Sequence, residues 1–189
     1  MINVAVLGAT GAVGQRFVEQ LAAHPWFNLS TLAASERSAG KPYGTIVKWR
    51  LDTPFPEKIG KIRVVPTSPK AMKDVDLVFS ALPAEIAMDV EREFAESGIA
   101  VCSNASSHRM DPMVPLVVPE VNPEHLGLID VQKDAGRDGF IVTNPNCSTI
   151  MMVTALAPLR QFKFTDIRVA TMQAISGAGF EGVAAMAIY

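Results

Sequence analysis

Ile2-Asn3-Val4-Ala5-Val6-Leu7, running at once into Gly8-Ala9-Thr10-Gly11-Ala12-Val13-Gly14, is the stretch that decides the fold. An apolar strand of this kind predicts burial, and the three glycines after it predict a tight turn. Val13, Phe17 and Leu21 then recur every four residues, which predicts an amphipathic helix with Gln15, Arg16, Glu19 and Gln20 mostly on its wet side. Strand, glycine turn and helix in this order form a site for a pyrophosphate. Residues without side chains let the anion approach the backbone, and the helix N-terminus faces it with unpaired N–H groups. The spacing is GxxGxxG, not the GxGxxG of the dinucleotide fingerprint.

A second strand, Leu29 to Ala34, ends in Ser35-Glu36-Arg37-Ser38-Ala39-Gly40-Lys41. In such a domain this is where the ribose is read. A carboxylate selects the free 2′-hydroxyl of NAD, whereas an arginine with hydroxyl donors suits the 2′-phosphate of NADP. Glu36 is compatible with NAD, but Ser35, Arg37, Ser38 and Lys41 supply more donors than one hydroxyl uses. The expected cofactor is NADP.

Beyond Lys41 the chain alternates apolar runs with helical patterns. Pro54, Pro56 and Gly60 predict a loop-rich stretch from Pro42 to Lys61. Ile62 to Val65, Val75 to Phe79, Ile99 to Cys102 and Phe140 to Val142 read as strands, and Ile86, Val90 and Phe94 share one face of the helix after Ser80-Ala81-Leu82-Pro83. Runs apolar throughout and separated by helices predict an α/β fold: a Rossmann-like, doubly wound, mostly parallel sheet occupying residues 1–148. From residue 149 the pattern changes to a helix over Thr149 to Leu159 and a long strand over Phe164 to Ile175, with Ile167, Val169, Thr171, Gln173 and Ile175 on one face. This predicts the start of a second, α+β domain over 149–189. The apolar tail Val183 to Tyr189 has no polar finish, so the chain is expected to continue beyond it.

Seventeen basic against nineteen acidic side chains give a formal charge of −2, no field for nucleic acid or an anionic membrane. The first residues carry no charged leader, and no apolar run reaches membrane-spanning length. Two cysteines, Cys102 and Cys147, without a CxxC spacing, and three histidines argue against a disulfide framework or a metal site. A cytoplasmic protein is expected. Cys102 sits inside an apolar run and reads as packing.

Cys147 reads differently. Asn144-Pro145-Asn146-Cys147-Ser148-Thr149 leads into Ile150 to Val153, which puts the cysteine where an extended segment becomes a helix. The partial positive charge of a helix N-terminus favours thiolate over thiol, and its N–H groups can hold an oxyanion. Cys147 is therefore the candidate nucleophile.

GATGAVG at 8–14, SERSAGK at 35–41, SALP at 80–83, SNASSHRM at 103–110, PEVN at 119–122, NPNCST at 144–149 and TMQAISGAG at 171–179 together resemble aspartate-semialdehyde dehydrogenase, in the branch found in archaea and fungi. The likeness runs over all 189 residues and covers about the first half of that family's chain. It implies reductive dephosphorylation of L-aspartyl 4-phosphate by NADPH to L-aspartate 4-semialdehyde, with release of inorganic phosphate, on the route to lysine, threonine and methionine. Cys147 would form a thioester, with Asn146 supporting the oxyanion. Gln173 would position the substrate, and Arg109, with Asn146 and Gln173, would hold substrate and leaving phosphate. Cofactor contacts are implied for Gly8, Thr10, Gly11, Ala12 and Val13, for Ser35, Arg37 and Ser38, for Ser80, Ala81 and Leu82, and for Ser176, Gly177, Ala178 and Gly179 near the nicotinamide.

The family's acid–base histidine and substrate-carboxylate arginine belong to the half this chain does not contain; His24, His108 and His125 do not match that motif, so the 189 residues alone are expected to be inactive. The resemblance also implies a homodimer or homotetramer of the full-length form. Three other readings stay open. Malonyl-CoA reductase shares these motifs, and an N-acetylglutamyl-phosphate reductase would normally carry Gly before the nucleophile and an aromatic after it. The third is a non-catalytic NADP-binding module.

Overall fold

The computed structural model describes residues 1–186. Its centre is a six-stranded sheet of β1 (Ile2–Leu7), β2 (Phe27–Ala34), β3 (Val65–Pro66), β4 (Leu77–Ser80), β5 (Ala100–Ser103) and β6 (Ile141–Thr143). The order is β3-β2-β1-β4-β5-β6 and every neighbouring pair is parallel. Helices α1 (Ala12–Leu21), α2 (Tyr43–Ile46), α3 (Glu57–Gly60), α4 (Ala84–Glu96), α5 (Leu128–Asp134), α6 (Cys147–Leu156) and α7 (Gly179–Met186) complete the chain.

β1 is apolar because both its faces are covered. Val4 and Val6 join Val18 and Leu21 of α1 in one core cluster, while Ala5 and Leu7 join Ala87, Phe94 and Ala95 of α4 in the other. Side chains alternate across a strand, so α1 and α4 lie on opposite faces. The chain winds outward from β1 to β3, then returns to β4 on the other side of β1. That reversal opens a crevice between the carboxyl ends of β1 and β4, the place where such folds bind ligands. The doubly wound α/β reading of the sequence holds.

Several details differ. The buried stripe of α1 is Gly14, Gln15, Val18 and Leu21, and Val13 is 43% exposed. Gln15 is buried because its amide is consumed by backbone partners. On α4 the stripe is Ala87, Glu91, Phe94 and Ala95, leaving Ile86 49% exposed over the crevice. Residues 62–64 make no parallel ladder: Gly40 N–H donates to Val64 O, Val64 N–H to Lys41 O and Tyr43 N–H to Ile62 O, so their backbone is spent on the 40–43 turn. The loop expected over 42–61 contains the short α2 and α3. The helix expected over 149–159 starts at Cys147, stays α-helical to Leu156 and tightens into a 3₁₀ turn at Ala157–Phe162, where Pro158 occupies the first positions.

The strand expected over Phe164 to Ile175 does not form. Residues 164–174 are irregular and exposed, and Ile175–Ala178 is a 3₁₀ turn. An alternating sequence becomes a strand only beside an edge that takes its backbone bonds, and none accompanies it among the described residues. The part of the tail over 187–189 lies outside the described residues. Among those described, no helix is long and apolar enough to cross a membrane, and no group of three or more His, Cys, Asp or Glu is placed to hold a metal.

Candidate functional site

The glycine turn after β1 is built for close approach. Gly8 has φ +73°, and a Cβ there would lie 2.8 Å from Ala81 O in the turn after β4. A Cβ on Gly14 would lie 2.1 Å from Gly8 O. Gly11 is the N-cap of α1 and makes no side-chain cap, and the first helical turn carries no acid, so the terminal N–H groups stay available to an anion. Two buried side chains fix this turn. Gln15 Nε2 donates to Thr10 O and to Lys48 O, both at 3.1 Å, while its Oε1 accepts the Arg50 N–H at 3.0 Å. Tyr43 donates its hydroxyl to Ala9 O at 2.7 Å, and burial pushes its phenol well above the ordinary value.

A cleft of about 470 Å³ opens beside the turn, with Gly8, Thr10, Ser35, Glu36, Thr67, Leu82 and Ile86 in its wall. Ser35 caps the 3₁₀ turn Glu36–Ser38, and Arg37 is exposed there, its carbonyl accepting Lys41 Nζ at 2.9 Å. Sequence reasoning thus placed Ser35, Arg37 and Ser38 on the segment that flanks the cleft. Ser80 is different: its side chain is fully buried and its carbonyl accepts the Asn104 N–H, so Leu82, not the Ser80 side chain, fronts the cleft.

The second loop carries the thiol. Asn146 Oδ1 accepts the Thr149 N–H at 2.8 Å and so caps α6, whose first residue, Cys147, is exposed. That cap occupies the amide oxygen of Asn146 and leaves Nδ2 as its donor. Asn144 is anchored three ways: its N–H donates to Ser103 O at 3.3 Å, its Nδ2 to Asn104 Oδ1 at 3.1 Å, and its carbonyl accepts Arg109 Nε at 2.8 Å. Arg109 Nη2 also donates to Asn104 O at 3.0 Å. Two of the three guanidinium nitrogens therefore hold backbone beneath the thiol turn, leaving Nη1 as the nitrogen for any anion. Cys102 is half-buried, and burial pushes its thiol up to about 11, the setting of an inert cysteine.

The glycine-rich segment before α7 comes to the start of α1. Gly179 (φ +76°), Phe180 and Val183 share a cleft of about 480 Å³ with Ala12, Val13, Arg16 and Arg50, and the Arg50 guanidinium stands 4.5 Å from the Phe180 ring centre. Gly177 meets nothing within 4 Å of a built Cβ. Of the side chains of Ser176 and Ala178 nothing is described. Gln173 is not brought to the thiol turn: it is exposed, with Nε2 bonded to Thr171 Oγ1 at 3.4 Å.

Sequence reasoning missed Gln15, Tyr43, Glu91 and His108. Glu91 is fully buried, and burial raises its carboxyl above the usual range against the Ser80 and Ser103 hydroxyls, which pull it down. Burial lowers the His108 imidazole; Asp111 raises it and Arg92 lowers it further. One signal existed: Glu91 stands on the 87-91-94 stripe, a helical period in which a charge is out of place.

Residues 3–129 match the family described as semialdehyde dehydrogenase, NAD binding domain. The aspartate-semialdehyde dehydrogenase of Archaeoglobus fulgidus is 58% identical over 187 residues, 98% of this chain and 54% of that protein. A malonyl CoA reductase (NADP) of Metallosphaera sedula is 45% identical over 99% of this chain and 53% of its own length. The crystal structure of aspartate semialdehyde dehydrogenase with NADP from Candida albicans superposes with a TM-score of 0.79 at 42% identity, covering 86% of this chain and 47% of that one. The chain spans about half the length of the curated relatives it matches. With its parallel sheet, glycine turn and crevice at the β1–β4 reversal, the chain belongs to the semialdehyde dehydrogenase family, to whose NAD-binding domain most of its length corresponds.

Proposed function

We propose that this protein is the nucleotide and nucleophile half of an NADP-dependent aspartate-semialdehyde dehydrogenase. The observation that carries the reading is Cys147, exposed on the first turn of α6 at the end of the sheet's last strand, in a chain whose glycine turn after β1 has no room for side chains at Gly8 and Gly14. The Cys147 thiolate attacks the carbonyl carbon of L-aspartyl 4-phosphate, and the C–O bond to phosphate breaks, leaving a thioester on sulfur and free inorganic phosphate. Asn146 Nδ2 and the Cys147 N–H hold the oxyanion as it develops. NADPH, when bound, supplies the hydride that reduces the thioester. The resulting thiohemiacetal on Cys147 then releases L-aspartate 4-semialdehyde and the thiolate.

Gly8, Thr10, Gly11, Ala12 and Val13 hold the cofactor pyrophosphate in this reading, Arg37 with Ser35 and Ser38 the 2′-phosphate, and Ala81 and Leu82 line the crevice. Ser176 to Gly179 pass near the nicotinamide. Arg109 gives Nη1 to the leaving phosphate, and Gln173 positions the substrate once its segment folds against the site. Residues 1–148 form the NADP domain, and 149–189 begin the substrate and assembly domain of a dimer or tetramer. The product feeds lysine, threonine and methionine synthesis in a cytoplasmic setting. The Metallosphaera relative favours malonyl-CoA as the second substrate to assay, since a thioester substrate meets the same thiol.

The test is Cys147→Ala in the full-length protein. Turnover of aspartyl phosphate is expected to fall below detection while NADP binds as before. Retained turnover rules out covalent catalysis by Cys147, and a parent enzyme that reduces malonyl-CoA but not aspartyl phosphate replaces the substrate.

A further inference from the structure

Behind both turns lie three polar side chains almost without solvent contact: Glu91 on α4, Ser103 at the end of β5 and His108 on the following loop. Ser103 Oγ donates to Glu91 Oε1 at 2.8 Å and accepts the Ala105 N–H at 3.1 Å. The other carboxyl oxygen, Oε2, lies 3.6 Å from His108 Nε2. Backbone bonds lead from this cluster to each half of the site. Asn104 N–H donates to Ser80 O at 3.0 Å, one residue before Ala81, whose carbonyl faces Gly8. Ser103 O accepts the Asn144 N–H at 3.3 Å, three residues before Cys147. His108 adjoins Arg109, which holds the Asn104 and Asn144 carbonyls.

A leucine at position 91 would fill the same volume without the heavy cost of desolvating a carboxyl. Four buried polar side-chain atoms make no hydrogen bond of ordinary length among the described residues, Ser80 Oγ, Glu91 Oε2, His108 Nε2 and Asn144 Oδ1, and all fall on this one path, with the Ser80 hydroxyl near enough to Glu91 to favour its ionised form. A polar tract therefore runs from the crevice turn to the thiol turn, and Glu91 stands at its middle.

We propose that Glu91 is a positioning residue for the reaction given above, on which this inference rests. By holding Ser103 with one oxygen and facing His108 with the other, it sets the spacing between the Ser80–Leu82 turn and the Asn144–Cys147 turn, and hence between bound cofactor and thiol. Glu91 acts only through these neighbours. A shift of about 1 Å in such a spacing costs on the order of 10²-fold in rate.

The experiment compares Glu91→Leu, Glu91→Gln and Ser103→Ala in the full-length protein, reading kcat, NADP affinity, melting temperature and the rate at which iodoacetamide alkylates Cys147. Glu91→Leu should lower kcat by about tenfold or more with NADP affinity within about twofold. Glu91→Gln, whose amide can still bond both neighbours, should recover most of that loss, and Ser103→Ala should fall with the leucine variant. If Glu91→Leu does not fold, the alanine variant at Ser103 decides. Variants that melt earlier yet keep the parent kcat per alkylatable thiol overturn the proposal, as does a glutamine variant no better than leucine. A parent protein inactive on both acyl substrates sinks the functional reading instead. The spacing is then read from NADP's effect on Cys147 alkylation, expected in the parent and absent in Glu91→Leu; an equal effect in both overturns the proposal.

Discussion

The sheet region, residues 2–143, and the segment from Cys147 to Met186 are both rich in apolar side chains, yet they use them in opposite ways. In the first, Val4 to Leu7, Val78 and Val101 are wholly buried, with helices on either face. In the second, α6 has no fully buried residue, and Phe162, Phe164, Ile167, Val169, Met172 and Ile175 are all exposed. Apolar composition thus measures only what a segment has available to bury; stability follows from whether a partner surface is there to receive it. The thiol sits at the junction, on the first residue of the exposed segment but anchored through Asn144 to β5 and Arg109.

If the sheet region carries the stability, the largest loss falls at Phe94. This side chain is fully buried where α4 meets the sheet. Phe94→Ala should cost about 3–5 kcal/mol by urea unfolding. A cost under about 1 kcal/mol breaks the claim that the sheet region carries the stability.

Next comes cofactor choice, which tests whether the sheet region also carries recognition. Arg37 is exposed on the turn flanking the cleft, beside Ser35 and Ser38. Arg37→Ala should weaken NADP by about 1.5–3 kcal/mol, roughly tenfold or more, and leave NAD affinity nearly unchanged in calorimetric titration. Equal loss for both nucleotides would assign the ribose to Glu36, which lines the cleft.

Glu91 offers a smaller, pH-dependent effect. Burial raises its carboxyl above the ordinary value of 4.5. A raised group contributes stability that is whole below the unfolded value and lost as pH rises through the folded one. His108, lowered by burial from 6.5, keeps its contribution above that value and loses it as pH falls; Asp111, Arg92 and Arg137 act on it through charge. Glu91→Gln should therefore gain on the parent as pH rises above 4.5, by up to about 1.4 kcal/mol per pH unit while the unfolded carboxyl is ionised and the folded one still holds its proton, the gain levelling off once the folded carboxyl ionises. Unfolding curves for the two that stay parallel from pH 5 to 8 would refute the assignment.

These residues also mark the limit of what the sequence made legible. β1, β2 and the glycine turn were plain because burial on both faces leaves unbroken apolar runs and because Gly8 and Gly14 have no space for a Cβ. The exposed thiol turn was plain from its position at a helix start. Gln15 and Glu91 were not, since a polar residue is read as a wet one, and its burial depends on acceptors such as Thr10 O and Lys48 O or on a donor such as Ser103, which lie 5 to 33 residues away and are brought into place only by folding. The alternation over Phe164 to Ile175 is real in the sequence but makes no strand, because a strand also needs an edge to pair with.

The smallest effect belongs to that same segment and gives the comparison its sharpest form. Val169 is 57% exposed on irregular backbone, whereas Val6 is wholly buried in β1. Val169→Ser removes little buried area and leaves its hydroxyl in water, so the expected change in unfolding free energy is within about 0.5 kcal/mol. The same substitution at Val6 opens a small void and buries an unpaired hydroxyl, for more than about 2 kcal/mol. The exposed valine still has a consequence. A run of uncovered apolar side chains from Phe162 to Ile175 should lead the 189-residue chain to self-associate. Val169→Ser with Met172→Ser should shift its sedimentation toward the monomer without moving its melting temperature. If the pair lowers that temperature by as much as Val6→Ser, the segment is packed in solution and the contrast between the two regions fails.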